Sequence, residues 1–507
     1  MESNTSNSNF NVALNDPSPG HHHIHHSALD NMLNEELVDA QDAAIARAEE
    51  AEVAAATITG QQQNQQGDGS YFVPKGIQSE YDGEAVSRSV LRPPLHSAPP
   101  SYEEGIGHRL RCHAKLMRHR DRDTKVTNVE LFFDLVFVYA ISSISHTMEE
   151  DLRWEVILEM LLVTLAVWWA WVFSAWAFNW FNPDSYLVRL LLLALMLISL
   201  VMSAVISDAF HDHSLLFAGM YVLIQVGRNV AAVIALHKHK LQCNFLRLMA
   251  WFTFTGVLWI VGGAFGGVAR NVLWTIAIVL EYISPALGFY TPGLGKSKST
   301  DWDIHGGHLA ERCSLFIIIA LGESIVVSGD TFKEVIFTTT GCAMFFVSFS
   351  GAAAMWWIYF HTAWNEAIEY VEQSDDPGKM GRLAYTYIHV IMVVGIVWCA
   401  VADRLSMMHP HMVPHHEGHE IDVAIMIGGP ALFVLGHALF RRTFSSRLPK
   451  AHLVTIIAFL CATPIGLFLP LWATALTTTA LLLCLGFYES YFRCHILPGL
   501  HRHHSET

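Results

Sequence analysis

The chain has 507 residues, 52% of them hydrophobic and 15% charged, with a mean hydropathy of +0.33. A water-soluble protein carries about a quarter of its residues as charges, so this deficit points to lipid as the main solvent. With 31 Lys and Arg against 46 Asp and Glu, a net charge of -15 argues against a general nucleic-acid binder, which needs a basic surface.

Residues 1–107 hold 16 acids against 4 bases, many Ser, Asn and Gln, and the run QQQNQQGDG. Such a stretch cannot bury a core, and its composition predicts a disordered acidic tail. Within it, a capping Ser27 or Asp30 and apolar Leu29, Leu33 and Leu37 at helical spacing fit one lone acidic helix, or a segment that frays in water. No basic region followed by a short apolar one opens the chain, so targeting is expected to fall to the first spanning helix. Residues 108–125 form a basic collar of seven Lys or Arg and two Asp, expected to face the cytoplasm.

Beyond the collar, apolar stretches fall at about 129–148, 155–178, 187–210, 215–236, 246–267, 271–290, 308–328, 335–361, 383–405, 421–440, 452–469 and 471–492. The expected fold is therefore an all-α polytopic membrane protein with about 12 transmembrane helices. The last two stretches form one uncharged run broken by Pro464 and Pro470, which a re-entrant hairpin would also fit. With the N-terminus inside, the inward loops hold Lys238, Lys240, Lys296, Lys298, Lys379, Arg441, Arg442, Arg447 and Lys450. The outward loops hold only Arg153, Arg270 and Lys333, so both termini are expected to be cytoplasmic. The eight Cys fall in helices or on the inward side, where no structural disulfide is expected.

The two halves look related. WWAWVFSAW (Trp168 to Trp176) resembles WWIYFHTAW (Trp356 to Trp364), Gly227 and Arg228 align with Gly436 and His437, and Arg189 and Asp208 align with Arg382 and Asp403. This predicts two parallel six-helix repeats, 126–300 and 301–495, followed by a cytoplasmic tail at 496–507. The alternative is that Trp simply favours helix ends near headgroups.

ELFFDLVFVYAISSISH (Glu130 to His146) and GGHLAERCSLFIIIALGESIVVSG (Gly306 to Gly329) closely resemble the two signature segments of the bacterial low temperature requirement protein A family. WWAWVFSAWAFNWFNPD and GGPALFVLGHALF add to the likeness, which spans about residues 125–490. The family consists of multi-pass membrane proteins of ill-defined biochemistry. The resemblance thus implies an architecture and a set of marked residues, and no substrate.

Ionisable groups inside a membrane helix are costly and mark a partner or a wet cavity. Glu130 and Asp134 are four residues apart and share a helix face. Arg312 and Glu323, eleven apart, share another, with Glu311 pointing elsewhere. Glu281 is expected in the middle of the sixth helix, loosened by Pro285 and Gly288. Arg228 with Asn229, and Asp403 with Arg404, are the available counter-charges. Such a set serves either as a polar pathway or ion site, or as buried salt bridges that fix helix register.

His146, His389 and His437 are proton-relay candidates or hydrogen-bonded core residues. The cluster from His409 to Asp422 offers His409, His411, His415 and His416 as zinc ligands, against the simpler reading of a solvated run without ligand spacing. No cofactor is implied. Nucleophile motifs, Walker loops, dinucleotide fingerprints and zinc-protease spacings are absent, so an enzyme is not expected. The leading functional expectation is a secondary transporter or related permease for a small solute or ion. An ion channel is the first alternative, because a duplicated six-helix plan loosely resembles the endosomal potassium channels. A non-transporting scaffold or sensor is the second.

Pro99, Pro100 and Tyr102 in PPSY resemble the PPxY ligand of WW domains, in which a polyproline segment docks on aromatic grooves. A WW-domain ubiquitin ligase is the partner this implies. Tyr102→Ala should then slow turnover and reduce ubiquitination in a pulse-chase while leaving activity per molecule unchanged; an unaltered half-life removes the motif from consideration.

Overall fold

The computed structural model describes residues 116–118, 125–298, 301–302, 306–362, 377–412, 418–445 and 449–496, and these are helical with no strand. The acidic tail, most of the basic collar and the C-terminal tail lie outside the described residues.

Every apolar stretch of the sequence forms a helix. In chain order these are α1 (Asn128–Glu150), α2 (Trp154–Trp180), α3 (Tyr186–Ala204), α4 (Ser214–Ala235), α5 (Gln242–Phe265) and α6 (Gly267–Ile283). There follow α7 (Gly306–Val335), α8 (Thr339–Thr362), α9 (Pro377–Gly381, Arg382–Ile388 and His389–Met408), α10 (His419–Phe444), α11 (Lys450–Gly466) and α12 (Leu471–Ile496). Ten of them are long and apolar enough to cross a membrane. α6 and α11 have 17 residues each and rise about 26 Å, short of a hydrocarbon core of about 30 Å.

Three boundaries differ from the sequence expectation. α3 stops at Ala204, so Asp208 lies in a turn, beside His213 at 3.5 Å. α5 and α6 are separated only by Gly266, whose φ of +67° turns the chain back at once. α6 ends at Ile283, ahead of Pro285, which cannot continue the hydrogen-bond ladder. Glu281 therefore sits in the last turn of α6 rather than mid-helix.

The bundle shows a lipid-type surface: Leu187, Leu190, Leu193, Leu197 and Leu200 of α3 are all exposed. In lipid, helices gain little from burying Leu against Leu, so close packing of small residues holds them together. At α9 and α10 a Cβ on Gly395 would lie 2.6 Å from the Phe433 backbone N, and one on Gly429 would lie 2.9 Å from that of Cys399. α9 is also unusual in that Arg382–Ile388 is wound as a π-helix. Its wider turn exposes three successive carbonyls to side chains: Ala384 O to His389 Nδ1 at 2.7 Å, Tyr385 O to Cys313 Sγ at 3.7 Å and Thr386 O to Trp168 Nε1 at 2.8 Å.

The two halves pack differently at the aligned positions. Trp168 and Trp169 are buried, whereas the aligned Trp356 and Trp357 are 46% and 45% exposed. Gly436 is pressed against Met392 of α9, whereas a Cβ on the aligned Gly227 would meet only Leu223 of its own helix.

Gly429→Ala should lower the thermal stability of the purified protein by about 1–3 kcal/mol through overpacking. A Cβ on Gly322 would meet nothing within 4 Å, so Gly322→Ala should be neutral or stabilising by about 0.5–1 kcal/mol. Size-exclusion profiles after heating compare the two.

Candidate functional site

α1 and α7 run parallel in a polar seam, since Glu130 meets His308, Asp134 meets Arg312 and Ser142 meets Glu323 at sequence separations of 178, 178 and 181. The helical period puts Glu130 and Asp134 on one face of α1 and Ser142 and Glu149 on another, about 90° around the helix. The seam divides into two clusters.

The first cluster pairs each acid with a base, although Arg118 Nε, Asp134 Oδ2 and Arg312 Nε and Nη1 are buried without a hydrogen-bond partner. Glu130 caps its own helix by accepting from Thr127 N at 3.0 Å and Thr127 Oγ1 at 2.9 Å. Its other oxygen meets Arg118 Nη2 at 2.9 Å and His308 Nε2 at 3.0 Å. One turn further in, Asp134 Oδ1 accepts from Arg312 Nη2 and from Trp171 Nε1 at 2.7 Å. Arg312 also lies over the rings of Phe133 and Trp171, at 5.8 and 5.7 Å. Neither Asp134 nor Arg312 exposes any side-chain surface. Glu311 points away from the seam, as its position relative to Arg312 predicts, and accepts from Val126 N at 3.0 Å.

The second cluster is not fully paired. Glu323 is held by the Ser142 hydroxyl through one oxygen, while Oε1 is buried without a partner. Ser324 Oγ and Ser328 Oγ are likewise buried and unbonded. Glu149 lies 3.4 Å from Arg404 Nε and 3.3 Å from His146 Nδ1, and its Oε1 is also unbonded. Between the clusters, Phe137, Ile141, Phe316 and Ala320 are buried and apolar.

A third group lies among α2, α4, α5 and α6. Trp259 Nε1 donates to Glu281 Oε1 at 3.1 Å, and the Tyr221 hydroxyl donates to Oε2. Gln225 Nε2 donates to the Tyr221 oxygen at 3.0 Å, and Arg228 Nη2 donates to Gln225 Oε1 at 2.6 Å. Glu281 and Arg228 are thus the ends of one buried relay rather than a direct ion pair.

Other candidates have plainer surroundings. His389 Nδ1 must donate to the Ala384 carbonyl, which leaves Nε2 to accept from the Tyr359 hydroxyl at 2.9 Å. His437 Nδ1 meets His452 Nε2 at 2.8 Å, and His452 lies 3.6 Å from Glu489. His146 is not buried in the helix core; its side chain is 57% exposed. Asp403 borders a cavity of about 30 Å³ beside Thr478 and Thr479. It does not serve as the partner of Arg404, which turns to Glu149. His409 and His411 are exposed, and no group of three potential ligands forms a metal site among the described residues. His415, His416, Pro99, Pro100 and Tyr102 lie outside the described residues.

Sequence reasoning passed over Arg118, His308, Glu149, Trp171 and the Tyr221–Gln225 link. Glu149 was legible in principle, two turns beyond Ser142 on the same face. His308 stands four residues before Arg312, as Glu130 stands four before Asp134. Arg118 and Trp171 carry no comparable signal, because their partners are set by how the collar and α2 dock.

The fold and the seam define a multi-pass, all-helical membrane protein whose first and seventh helices are joined by buried charge. The chain matches the family model described as bacterial low temperature requirement A protein over residues 125–487, and it belongs to that family. It is 34% identical over 381 residues to an uncharacterized protein of Rhizobium meliloti (strain 1021), an alignment covering 74% of this chain and 92% of the relative.

Arg312→Met alone should strand Asp134 as an unpaired buried charge, at a cost of about 3–5 kcal/mol, whereas Asp134→Leu combined with Arg312→Met should recover most of the loss. Thermal denaturation of the purified variants checks this. A double variant as unstable as the single one would mean that the seam needs charge for something other than pairing.

Proposed function

We propose that the protein is a secondary transporter or permease for a small solute or ion, with the α1–α7 seam as the place where a proton or cation is taken up and released. The observation that carries this reading is the second cluster. Glu323 and Glu149 each keep one buried oxygen unbonded, and the basic side chains beside them are Arg404 and the exposed His146. Two carboxylates with one fixed positive charge favour an added proton or cation, since a bare carboxylate at membrane depth is unstable. In this reading solvent enters past His146, which is exposed near the end of α1.

The apolar layer of Phe137, Ile141 and Phe316 favours a carrier over an open channel, because a conducting path would have to cross it. Two six-helix halves moving about the seam would open it to one side at a time. In support, α1 packs on α2 and α3 as α7 packs on α8 and α9, and α2 packs on α6 as α8 packs on α12. The excess of basic residues in the inward loops places both termini on the cytoplasmic side in this reading.

Glu323→Gln preserves shape and should leave folding and expression intact while shifting the pH or cation dependence of flux in proteoliposomes. Lower stability with unaltered flux per folded molecule would make Glu323 a structural residue. Ohmic current would replace the carrier with a channel, and silence across many solutes would favour a scaffold.

A further inference from the structure

α2, α4, α5, the turn after α6 and the π segment of α9 border a cavity of about 50 Å³. One water needs about 10–15 Å³ of such space, so the cavity suits a solute of about four heavy atoms. Its walls include the rings of Phe173, Trp176, Trp180 and Phe289, and its polar side chains include Arg228 and Arg382; among the described residues no Asp or Glu borders it.

Neither arginine is paired with a carboxylate among the described residues. Arg228 is only 2% exposed. It donates to three neutral acceptors: Ala170 O at 3.3 Å, Ser174 Oγ at 3.0 Å and Gln225 Oε1 at 2.6 Å. Phe173 and Phe252 flank its guanidinium at 5.9 and 5.8 Å. Of its five N–H donors, the one on Nε and the second on Nη2 make no hydrogen bond with the described residues. Arg382 gives one bond, to Pro285 O at 3.1 Å, and keeps its other donors. Glu281 is held off Arg228 by the interposed Tyr221 and Gln225. A buried guanidinium lacking a counter-charge is expensive, and Arg228, which meets none among the described residues, borders a space that suits a small anion.

We propose that this cavity binds a small carboxylate of the acetate or propionate class. Planar guanidinium donors match a carboxylate in pairs, and ring walls accept a short alkyl body but offer nothing to the hydration shell of a phosphate dianion. The relay from Arg228 through Gln225 and Tyr221 to Glu281 ties anion binding to a second carboxyl group, so the bound solute and the state of Glu281 influence each other. This deepens the transporter reading and rests on it for its biological meaning, although binding can be measured without transport.

The test is equilibrium binding of radiolabelled propionate to the purified full-length protein in uncharged detergent, with competition by acetate and by propionamide. Propionate should bind saturably, acetate should compete, and propionamide, which has the shape without the charge, should not. Arg228→Gln should weaken binding by about tenfold or more, as expected for loss of a charge-assisted bond. Because that buried site could affect folding, the half-buried Arg382→Gln serves as the second variant and should weaken binding without lowering the melting temperature. Competition by propionamide equal to that of acetate, or full binding in both variants, would overturn the proposal. In nanodiscs, binding should be the same with and without phosphatidylglycerol; loss in the anionic discs would assign the site to a lipid headgroup and overturn it. Propionate that binds but is not moved in proteoliposomes would leave the site standing and remove the transporter reading. Flux of other solutes without propionate binding would do the reverse.

Discussion

A guanidinium and a carboxylate taken out of water each lose several kcal/mol of hydration unless they meet, and Asp134 and Arg312 meet with no exposed surface on either side. The pair fixes α1 against α7 in both rotation and height, because a shift of one residue on either helix would turn its charge by about 100° away from the partner. Trp171 donates to the same carboxylate and brings α2 to that level, and Trp168 on α2 reaches the π segment of α9. Four helices are thereby indexed to one another by polar contacts that tolerate little slippage, while the lipid-facing helices outside them are held mainly by packing.

From that fixed point the charges of the molecule sort into two kinds. Those nearest the start of α1 and α7 are matched in charge: Glu130 is met by a cap, an arginine and a histidine, and Asp134 by Arg312, although Asp134 Oδ2 and Arg312 Nε and Nη1 stay unbonded. Those further along are incomplete, with Glu323 bonded to a hydroxyl and Glu149 sharing an arginine that also approaches Glu334 at 3.8 Å. Matched pairs contribute rigidity and are poor at changing state; incomplete ones cost stability and can change state when a proton or cation arrives. One seam thus holds a frame and a responsive element, divided by about 12 Å of apolar helix between residues 134 and 142.

The two segments that carry the family likeness, Glu130 to His146 and Gly306 to Gly329, are the two sides of this seam. Their marked residues are explained by mutual contact: an acid on one side is answered by a base or hydroxyl on the other. The family match covers residues 125–487 and leaves the acidic tail outside it.

The sequence by itself determined the solvent, the helices and the marked residues. Lipid leaves a backbone segment no choice but to satisfy its own hydrogen bonds, so a run of about 20 apolar residues becomes a helix whatever surrounds it, and each predicted stretch did so. Helical periodicity likewise set the shared faces of Glu130 with Asp134 and of Arg312 with Glu323. Partners were decided only by the tertiary structure, because a partner depends on which helices touch and at what height, and neither is encoded locally. Arg404 turned to Glu149 and not to its neighbour Asp403; Glu281 found Tyr221 and Trp259 rather than a cation; Trp168 went to the core while Trp356 went to the surface. Tertiary packing also made the cavity beside Arg228, since its lining comes from five separate stretches of chain with no shared pattern in sequence.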